Sequence, residues 1–296
     1  MASLVAEIPA TAIRAVNRRR RVFDYLGWTM SALAFLLLGG AMVWILATIF
    51  VNGLGSLTPQ VVTQVTEGTG GGLLNAIEGT AVMSLGGVLL AVPPGLACGI
   101  YLAEFDCGSL APVIRFLVDV LVGVPSIVIG YFGYVTMVVT LGWQFSAAAG
   151  SVALAIISLP YISRTTEMAL RQVPQGLREA AYALGAADRQ VVLGVTLPAA
   201  LPAVLTGILL ALAISVGETA PLLYTAGWSN YLWNGHIVRE PIGYLTYVIW
   251  AFITEPFASA HALAYAAALF VTLFVLVISV LSRMLLGRTA QWHGRG

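Results

Sequence analysis

The fold of this chain is decided by stretches such as residues 190–217, QVVLGVTLPAALPAVLTGILLALAISVG, which contain no charged side chain. A run of this length crosses the ~30 Å hydrocarbon core of a bilayer as an α-helix. Lipid offers the backbone no hydrogen-bond partner, so a spanning helix must satisfy its own N–H and C=O groups. The stretch therefore predicts a transmembrane helix.

The composition of the whole chain has the same character. Of its 296 residues, 59% are hydrophobic and 9% are charged, and the mean hydropathy is +0.92. A soluble domain carries about 25% charged residues, so a soluble enzyme is excluded. Disorder is excluded because it requires low hydrophobicity and high charge. A net charge of +1 gives no reason to expect a nucleic-acid partner. We predict an all-α integral membrane protein surrounded by membrane lipid.

Six apolar runs are long enough to span a membrane. They are residues 26–51, 79–103, 116–142, 145–163, 190–217 and 256–282, and only the third contains a charge, Asp119. A shorter run, residues 241–254, predicts an interfacial or re-entrant segment whose aromatic side chains, Tyr244 among them, suit the headgroup region. The glycine-rich residues 52–75 predict a flexible external loop.

The arginines predict the orientation. With six spans and an internal N-terminus, 13 of the 14 basic residues lie in cytoplasmic segments, and only Arg239 lies outside. This asymmetry follows the positive-inside rule. We therefore predict six transmembrane helices with cytoplasmic N- and C-termini. The predicted organisation is a tail over 1–25, a first transmembrane helix over 26–51, a transmembrane domain over 74–285 and a tail over 286–296.

The predicted cytoplasmic loop between the fourth and fifth spans, residues 171–198, carries helix signals. Pro174 suits the first position of a helix, and Gly185 suits the position just past its end. Between them one narrow apolar stripe recurs at helical spacing: Leu177, Ala181 and Leu184. The loop predicts a short amphipathic helix. Its periodicity leaves open whether this helix lies on the membrane surface or contacts a partner protein.

Charged residues in or beside the spans are functional candidates, because a charge at a helix centre costs about 2.5–3.5 kcal/mol. Arg164 and Glu167 share a helix face at i, i+3 and can pair. They form either an ordinary pair at the end of the fourth span or a polar element of a transport path. Glu218 lies toward the outer end of the fifth span, where Pro221 predicts a helix break. It is either a helix-end residue or part of a gate.

The sequence offers no support for catalytic chemistry. The two cysteines form no CxxC motif, the three histidines are scattered, and no phosphate-binding Gly-Lys-[Ser/Thr] loop occurs. We therefore predict no catalytic residue, no metal site and no cofactor on this chain. If transport uses ATP, another chain must hydrolyse it.

One spaced pattern within the loop is specific. It consists of Glu179-Ala180-Ala181, Gly185, Val195 and Leu197-Pro198, and it resembles the EAA signature of ABC importer permeases. The resemblance implies the type I ABC importer permease architecture, in which this loop docks a cytoplasmic ATPase. It also implies that Glu179, Ala180 and Ala181 form the coupling contact and that Gly185 makes the turn between two short helices.

Two flanking segments narrow the resemblance to the PstA-like family of phosphate importer permeases. They are Arg164-Thr165-Thr166-Glu167 before the loop and Gly217-Glu218-Thr219-Ala220-Pro221-Leu222-Leu223 after it. The resemblance covers about residues 74–285. It implies that the substrate path includes Arg164, Thr165, Glu167, Glu218 and Thr219. The chain departs from the family at Ile214, where an Arg is usual.

The resemblance also implies an assembly in the plasma (inner) membrane. Its other parts are a PstC-like second permease, a PstB-like ATPase dimer that binds ATP and Mg²⁺, and a PstS-like phosphate-binding protein. Permeases for phosphonate, sulfate or molybdate share the EAA signature and remain alternatives. A secondary transporter would need acid–base relays within the membrane, and a membrane-embedded enzyme would need a nucleophile–base or metal constellation. The few mid-span charges disfavour both of these.

Overall fold

The computed structural model of the chain describes residues 10–105 and 108–293, so part of each predicted tail lies outside the described residues. The chain forms two compact units, of which the first ends at Val51 and the second begins at Asn52. The elements in chain order are α1 Ala10–Ser56, α2 Pro59–Thr63, β1 Thr66–Glu67, β2 Gly70–Gly71, α3 Leu74–Glu104, α4 Leu110–Gly123, α5 Ser126–Gly133, α6 Ala147–Arg171, α7 Gln175–Ala183, α8 Asp188–Val191, α9 Leu197–Gly217, α10 Ala220–Thr225, α11 Leu245–Phe252 and α12 Ala258–His293. A π-helical segment, Tyr134–Thr140, follows α5, and a second one, Val192–Thr196, precedes α9.

The predicted all-α membrane fold is confirmed. Among the described residues, five helical stretches are long and apolar enough to cross a membrane, and the number rises to six if one bent helix pair counts as a single span. The five are Arg19–Ser56, Leu74–Glu104, Ala147–Arg171, Asp188–Gly217 and Ala258–Met284. They overlap five of the six predicted spans.

The third predicted span is not one straight helix. Its two parts, Leu110–Gly123 and Ser126–Thr140, meet at an angle of 97°. The break has a local cause, because Val124 and Pro125 are extended, with ψ of 124° and 133°. A residue that precedes proline avoids the helical region through a clash with the proline ring. The span predicted over 116–142 is therefore a pair of helices with a break at Val124 and Pro125.

The fourth span is longer than predicted. We expected it to end at Ser163, but α6 continues to Arg171 and its side chains are largely buried. Arg164 and Glu167 therefore lie on the helix itself, as their predicted shared helix face requires. This extension lets two turns of charged residues face the neighbouring helices.

Glycines hold α3 and α6 close together. A Cβ at Gly87 would lie 2.8 Å from the Cβ of Leu154, and one at Gly99 would lie 2.5 Å from the Cβ of Thr166. Small residues at such contacts let membrane helices approach until their backbones nearly touch. The pair forms the centre of the second unit, and α9 packs against both helices.

Residues 52–75 hold regular structure instead of the flexible loop that we expected. Strands β1 and β2 pair antiparallel, with Thr66 opposite Gly71. The buried Asn75 fastens this hairpin, because its Oδ1 accepts from the Thr66 backbone N–H at 3.0 Å. Its Nδ2 donates to the Ser229 carbonyl at 2.8 Å, which joins the hairpin to the segment after α10.

The predicted re-entrant run over residues 241–254 contains α11, which has only 8 residues. Its inner face packs against α12 and the start of α3 and buries Leu245, Val248 and Phe252. Tyr244 is also buried in the core, so its side chain packs against protein rather than lipid. Trp250 is exposed and remains available to the membrane interface.

Candidate functional site

The loop between α6 and α9 forms two short helices, α7 and α8. Pro174 stands just before α7, and Gly185 follows it with a φ of +81°, which glycine adopts without steric cost. The turn expected at Gly185 between two short helices is therefore present. The adjoining Leu184, 89% exposed, leaves an apolar side chain uncovered at this turn.

The residues of the EAA pattern divide between the two sides of α7. Glu179 and Ala180 are exposed, whereas Ala181 is buried. The predicted apolar stripe is buried only at Ala181, because Leu177 and Leu184 are both exposed. The exposed residues of α7 and its C-terminal turn thus include Glu179, Ala180 and two leucines, and at about 100° per residue Leu177 and Leu184 lie on the face opposite Glu179. Contiguous exposed apolar side chains with a polar rim are typical of surfaces that bind a partner protein or a membrane.

Arg178, next to Glu179, points into the protein, and the sequence pattern did not single it out. Its Nη2 lies 2.7 Å from Oε1 of Glu104 and donates to the Leu170 carbonyl at 2.8 Å. Both charged side chains are largely buried, with 16% and 10% of their surfaces exposed. Residue 178 is 74 positions from residue 104, so no local spacing rule could have found this contact.

A charge cluster lies between α4 and α6 and is centred on the buried Glu167. Oε1 of Glu167 lies 3.0 Å from Nη2 of Arg115 and 3.1 Å from Nη2 of Arg171. The predicted pair between Arg164 and Glu167 is present only at 4.0 Å, the outer limit of an ion pair. Arg164 instead contacts Asp119 of α4. We refer to these residues as the α4–α6 charge cluster: Arg115, Asp119, Arg164, Glu167 and Arg171.

The cluster combines a buried acid with partly exposed bases. The Glu167 side chain is 7% exposed, whereas those of Arg164 and Asp119 are 35% and 52% exposed. Arg164 lies about 10 Å along α6 from its end at Arg171, at 1.5 Å per residue. Charges within a span are too costly to face lipid and normally face protein or water. The exposed part of the cluster is therefore suited to a water-filled path or to a second membrane subunit.

Thr165, the third predicted path residue of α6, lies in a helix contact. Its Oγ1 donates to the Tyr161 carbonyl at 2.8 Å within α6. Its Cβ would lie 2.5 Å from a Cβ placed on Gly207, so Thr165 packs directly against α9. Two turns away, the buried hydroxyls of Ser158 and Ser215 lie 2.8 Å apart and join the same two helices. This second contact stands beside Ile214, where the family pattern has an Arg.

Glu218 and Thr219 form the break between α9 and α10. Glu218 is extended, with a ψ of 135°, and its carbonyl accepts from Oγ1 of Thr246 at 2.8 Å. Its carboxyl group interacts with the hydroxyl of Ser126, the first residue of α5. The predicted break is thus present one residue after α9 ends. The carboxyl group of Glu218 therefore lies beside a second helix break, the one between α4 and α5.

The two broken helices pack closely beyond these breaks. A Cβ at Gly130 of α5 would lie 2.5 Å from the Cα of Pro221 in α10. Thr219 also lines an open groove of about 490 Å³ with α11 residues such as Thr246 and Trp250. Irregular backbone at membrane depth is tolerated where protein or a water-filled cavity covers it. Glu218 and Thr219 therefore occupy a different site from the α4–α6 charge cluster.

Comparison with known proteins identifies the class of this chain. Residues 95–291 match the family described as "Binding-protein-dependent transport system inner membrane component". The chain belongs to this family of ABC importer permeases. It is a multi-pass inner-membrane subunit without catalytic chemistry of its own. An importer of this kind also needs an ATPase and a substrate-binding protein.

Its individual relatives carry one name. The chain is 42% identical over 282 residues to the phosphate transport system permease protein PstA 2 of Mycobacterium bovis, covering 95% of this chain and 92% of the relative. It is 42% identical over 251 residues to PstA of Yersinia pestis, covering 83% of this chain and 84% of the relative. PstA of Xylella fastidiosa is 40% identical over 282 residues, covering 94% of this chain and 98% of the relative. The chain thus belongs with relatives named PstA.

A solved structure supports the fold. A chain of the MetNI methionine ABC transporter, crystallised facing inward, superposes with a TM-score of 0.62. The match covers 73% of this chain and 95% of that chain at 21% identity. At this identity the likeness concerns the fold alone, and it confirms the type I importer architecture expected from the sequence.

Proposed function

We propose that this chain is the permease subunit of an ATP-driven importer of inorganic phosphate. The observation that carries the proposal is the α4–α6 charge cluster. It lies between α4 and α6, and α6 runs directly into the EAA loop. Arginine forks bind phosphate oxygens with two parallel hydrogen bonds. The names of the relatives at 40–42% identity support phosphate rather than phosphonate, sulfate or molybdate.

In this proposal the α4–α6 charge cluster faces the path that the anion takes. Arg164 attracts phosphate, while Asp119 and Glu167 limit how tightly the arginines hold it. A weak, multi-site hold suits transport because the substrate must also leave. Thr165 sets the spacing between α6 and α9 beside this path. Glu218 and Thr219 form a gate at the facing helix breaks.

The EAA loop indicates the partners of the proposed assembly. Glu179 and Ala180, both exposed, dock a PstB-like ATPase dimer, which binds ATP and Mg²⁺ while this chain binds no cofactor. The buried Ala181 packs α7 against the rest of the chain. A PstC-like permease supplies the second half of the path, and a PstS-like protein delivers phosphate from outside. The EAA loop and both termini then lie in the cytoplasm, as the arginine distribution favours.

The proposal is tested with the whole assembly in proteoliposomes. The binding protein is placed outside and ATP inside, and uptake of radiolabelled phosphate is measured with sulfate, molybdate and phosphonate as competitors. We expect ATP-dependent accumulation that resists these competitors. ATP-dependent transport of another oxyanion would overturn the substrate assignment. Accumulation without ATP would favour a secondary transporter.

A further inference from the structure

Arg178 joins the ends of three helices. Its guanidinium contacts Glu104, the last residue of α3, at 2.7 Å. It also donates to the carbonyl of Leu170, in the last turn of α6, at 2.8 Å and reaches the Val173 carbonyl at 3.5 Å. A cation at a helix C-terminus is favourable because the last carbonyls carry partial negative charge. The side chain itself belongs to α7, so one guanidinium holds α3, α6 and α7 together.

The neighbouring residue, Glu179, points away from this contact. Successive residues of an α-helix are separated by about 100° around the axis, since a turn takes 3.6 residues. Arg178 is therefore held by the protein's own helices, while Glu179 stays exposed to a partner. Arg178 is thus the charged side chain of α7 that contacts α3 and α6.

Beyond Arg178 the contacts continue toward the α4–α6 charge cluster. Arg171 donates to the Leu102 carbonyl of α3 at 3.0 Å and pairs with Glu167 at 3.1 Å. The glycine contacts keep α3 and α6 at close range along their length. Polar contacts and close backbone approaches therefore join α7, α3 and α6 into one connected set.

We infer that Arg178 is the positioning residue through which movement of α7 is passed to α3 and α6. The inference rests on the proposed function, because it assumes that an ATPase moves α7. The guanidinium fork suits this role better than an ammonium, since it binds a carboxylate and main-chain carbonyls in fixed directions. Without the fork, α7 could move while the spans stay in place, and ATP would be hydrolysed without transport.

The test measures phosphate taken up per ATP hydrolysed, in proteoliposomes that contain the whole assembly. The variants are Arg178→Gln, Arg178→Lys and Glu104→Gln. Arg283→Gln, at an exposed arginine of α12 outside the EAA loop, is the matched control. Mutations along a coupling route change coupling by roughly 2- to 30-fold. We expect a reduction in that range for Arg178→Gln and Glu104→Gln, a smaller one for Arg178→Lys, and none for Arg283→Gln.

The double variant Arg178→Gln with Glu104→Gln shows whether the two residues act through their shared contact or independently. We expect its ratio to be no lower than that of the worse single variant, because both changes break one contact. If Arg178→Gln fails to assemble, the charge-preserving Arg178→Lys carries the test. The inference would be overturned if the Arg178 and Glu104 variants yielded less assembled protein but transported the normal amount of phosphate per ATP hydrolysed. Loss of ATP-driven phosphate uptake in the unmodified assembly would instead refute the proposed function.

Discussion

Glu167 of α6 and Arg115 of α4 lie 3.0 Å apart, although 52 residues separate them in the sequence. The carboxylate is buried and is also bound by Arg171 at 3.1 Å. This contact fixes the first half of the broken third span against the helix that leads into the EAA loop. The charges that sequence analysis assigned to one helix therefore belong to a site shared by two.

We expect Glu167→Gln to destabilise the second unit by about 1–3 kcal/mol, the cost of leaving buried polar partners poorly satisfied. The glutamine retains the shape of the side chain but removes the charge that Arg115 and Arg171 share. The midpoint of thermal unfolding in detergent measures the effect. Glu67→Gln, at an exposed residue of the hairpin, is the control and should leave the midpoint unchanged. An equal midpoint for Glu167→Gln would show that the cluster adds no stability.

Arg164→Gln should lower phosphate uptake in the proteoliposome assay, while the ATPase still co-purifies with the permease. The reason is that Arg164 lies within α6, away from the exposed side of α7, and its fork is a natural ligand for phosphate. Uptake as a function of phosphate concentration checks this. Unchanged uptake would return Arg164 to an ordinary ion pair with Asp119.

Asp119→Asn should have the opposite effect on phosphate binding. Asp119 contacts Arg164 and competes with an anion for its guanidinium. A partly exposed ion pair contributes up to about 1 kcal/mol, so the half-saturating phosphate concentration should fall by up to about fivefold. We expect the maximal rate to fall as well, because phosphate leaves a free arginine more slowly. A raised half-saturating concentration would contradict the proposed competition.

Gly130→Ala should disturb the packing of α5 on α10, because the added Cβ would lie 2.5 Å from the Cα of Pro221. Overpacking of this kind costs about 1–3 kcal/mol. Gly123→Ala is the matched control, since a Cβ there meets nothing within 4 Å. The first variant should lower the thermal midpoint and the uptake rate, and the second should preserve both. Equal behaviour of the two would show that the broken helices tolerate separation.

The sequence predicted the parts of the fold that depend on local composition. Long uncharged runs placed five spans, and Gly185 marked the end of α7, because hydropathy and backbone preference act over a few residues. The break at Val124 was also locally encoded, since Pro125 follows it, but the strong hydropathy of the run concealed this signal. Single-residue signals are easily missed inside an apolar segment.

The contacts of the site could not be predicted in the same way. The sequence paired Arg164 with Glu167 because they are three residues apart, yet the closer partners of Glu167 include Arg115 from another helix. Arg178 and Glu104 meet only because α3 and α6 end at the same level. Such pairings depend on tertiary packing, which no periodicity within one helix records.

The proposed function requires that the ATPase acts on the exposed side of α7, and Glu179→Lys reverses the charge there. ATP-driven phosphate uptake and ATPase co-purification are measured on the same preparation, with Glu67→Lys as the control for an added positive charge on an exposed surface. We expect Glu179→Lys to abolish ATP-driven uptake and to weaken co-purification, while the thermal midpoint stays that of the unmodified protein. Normal ATP-driven uptake in Glu179→Lys would contradict it.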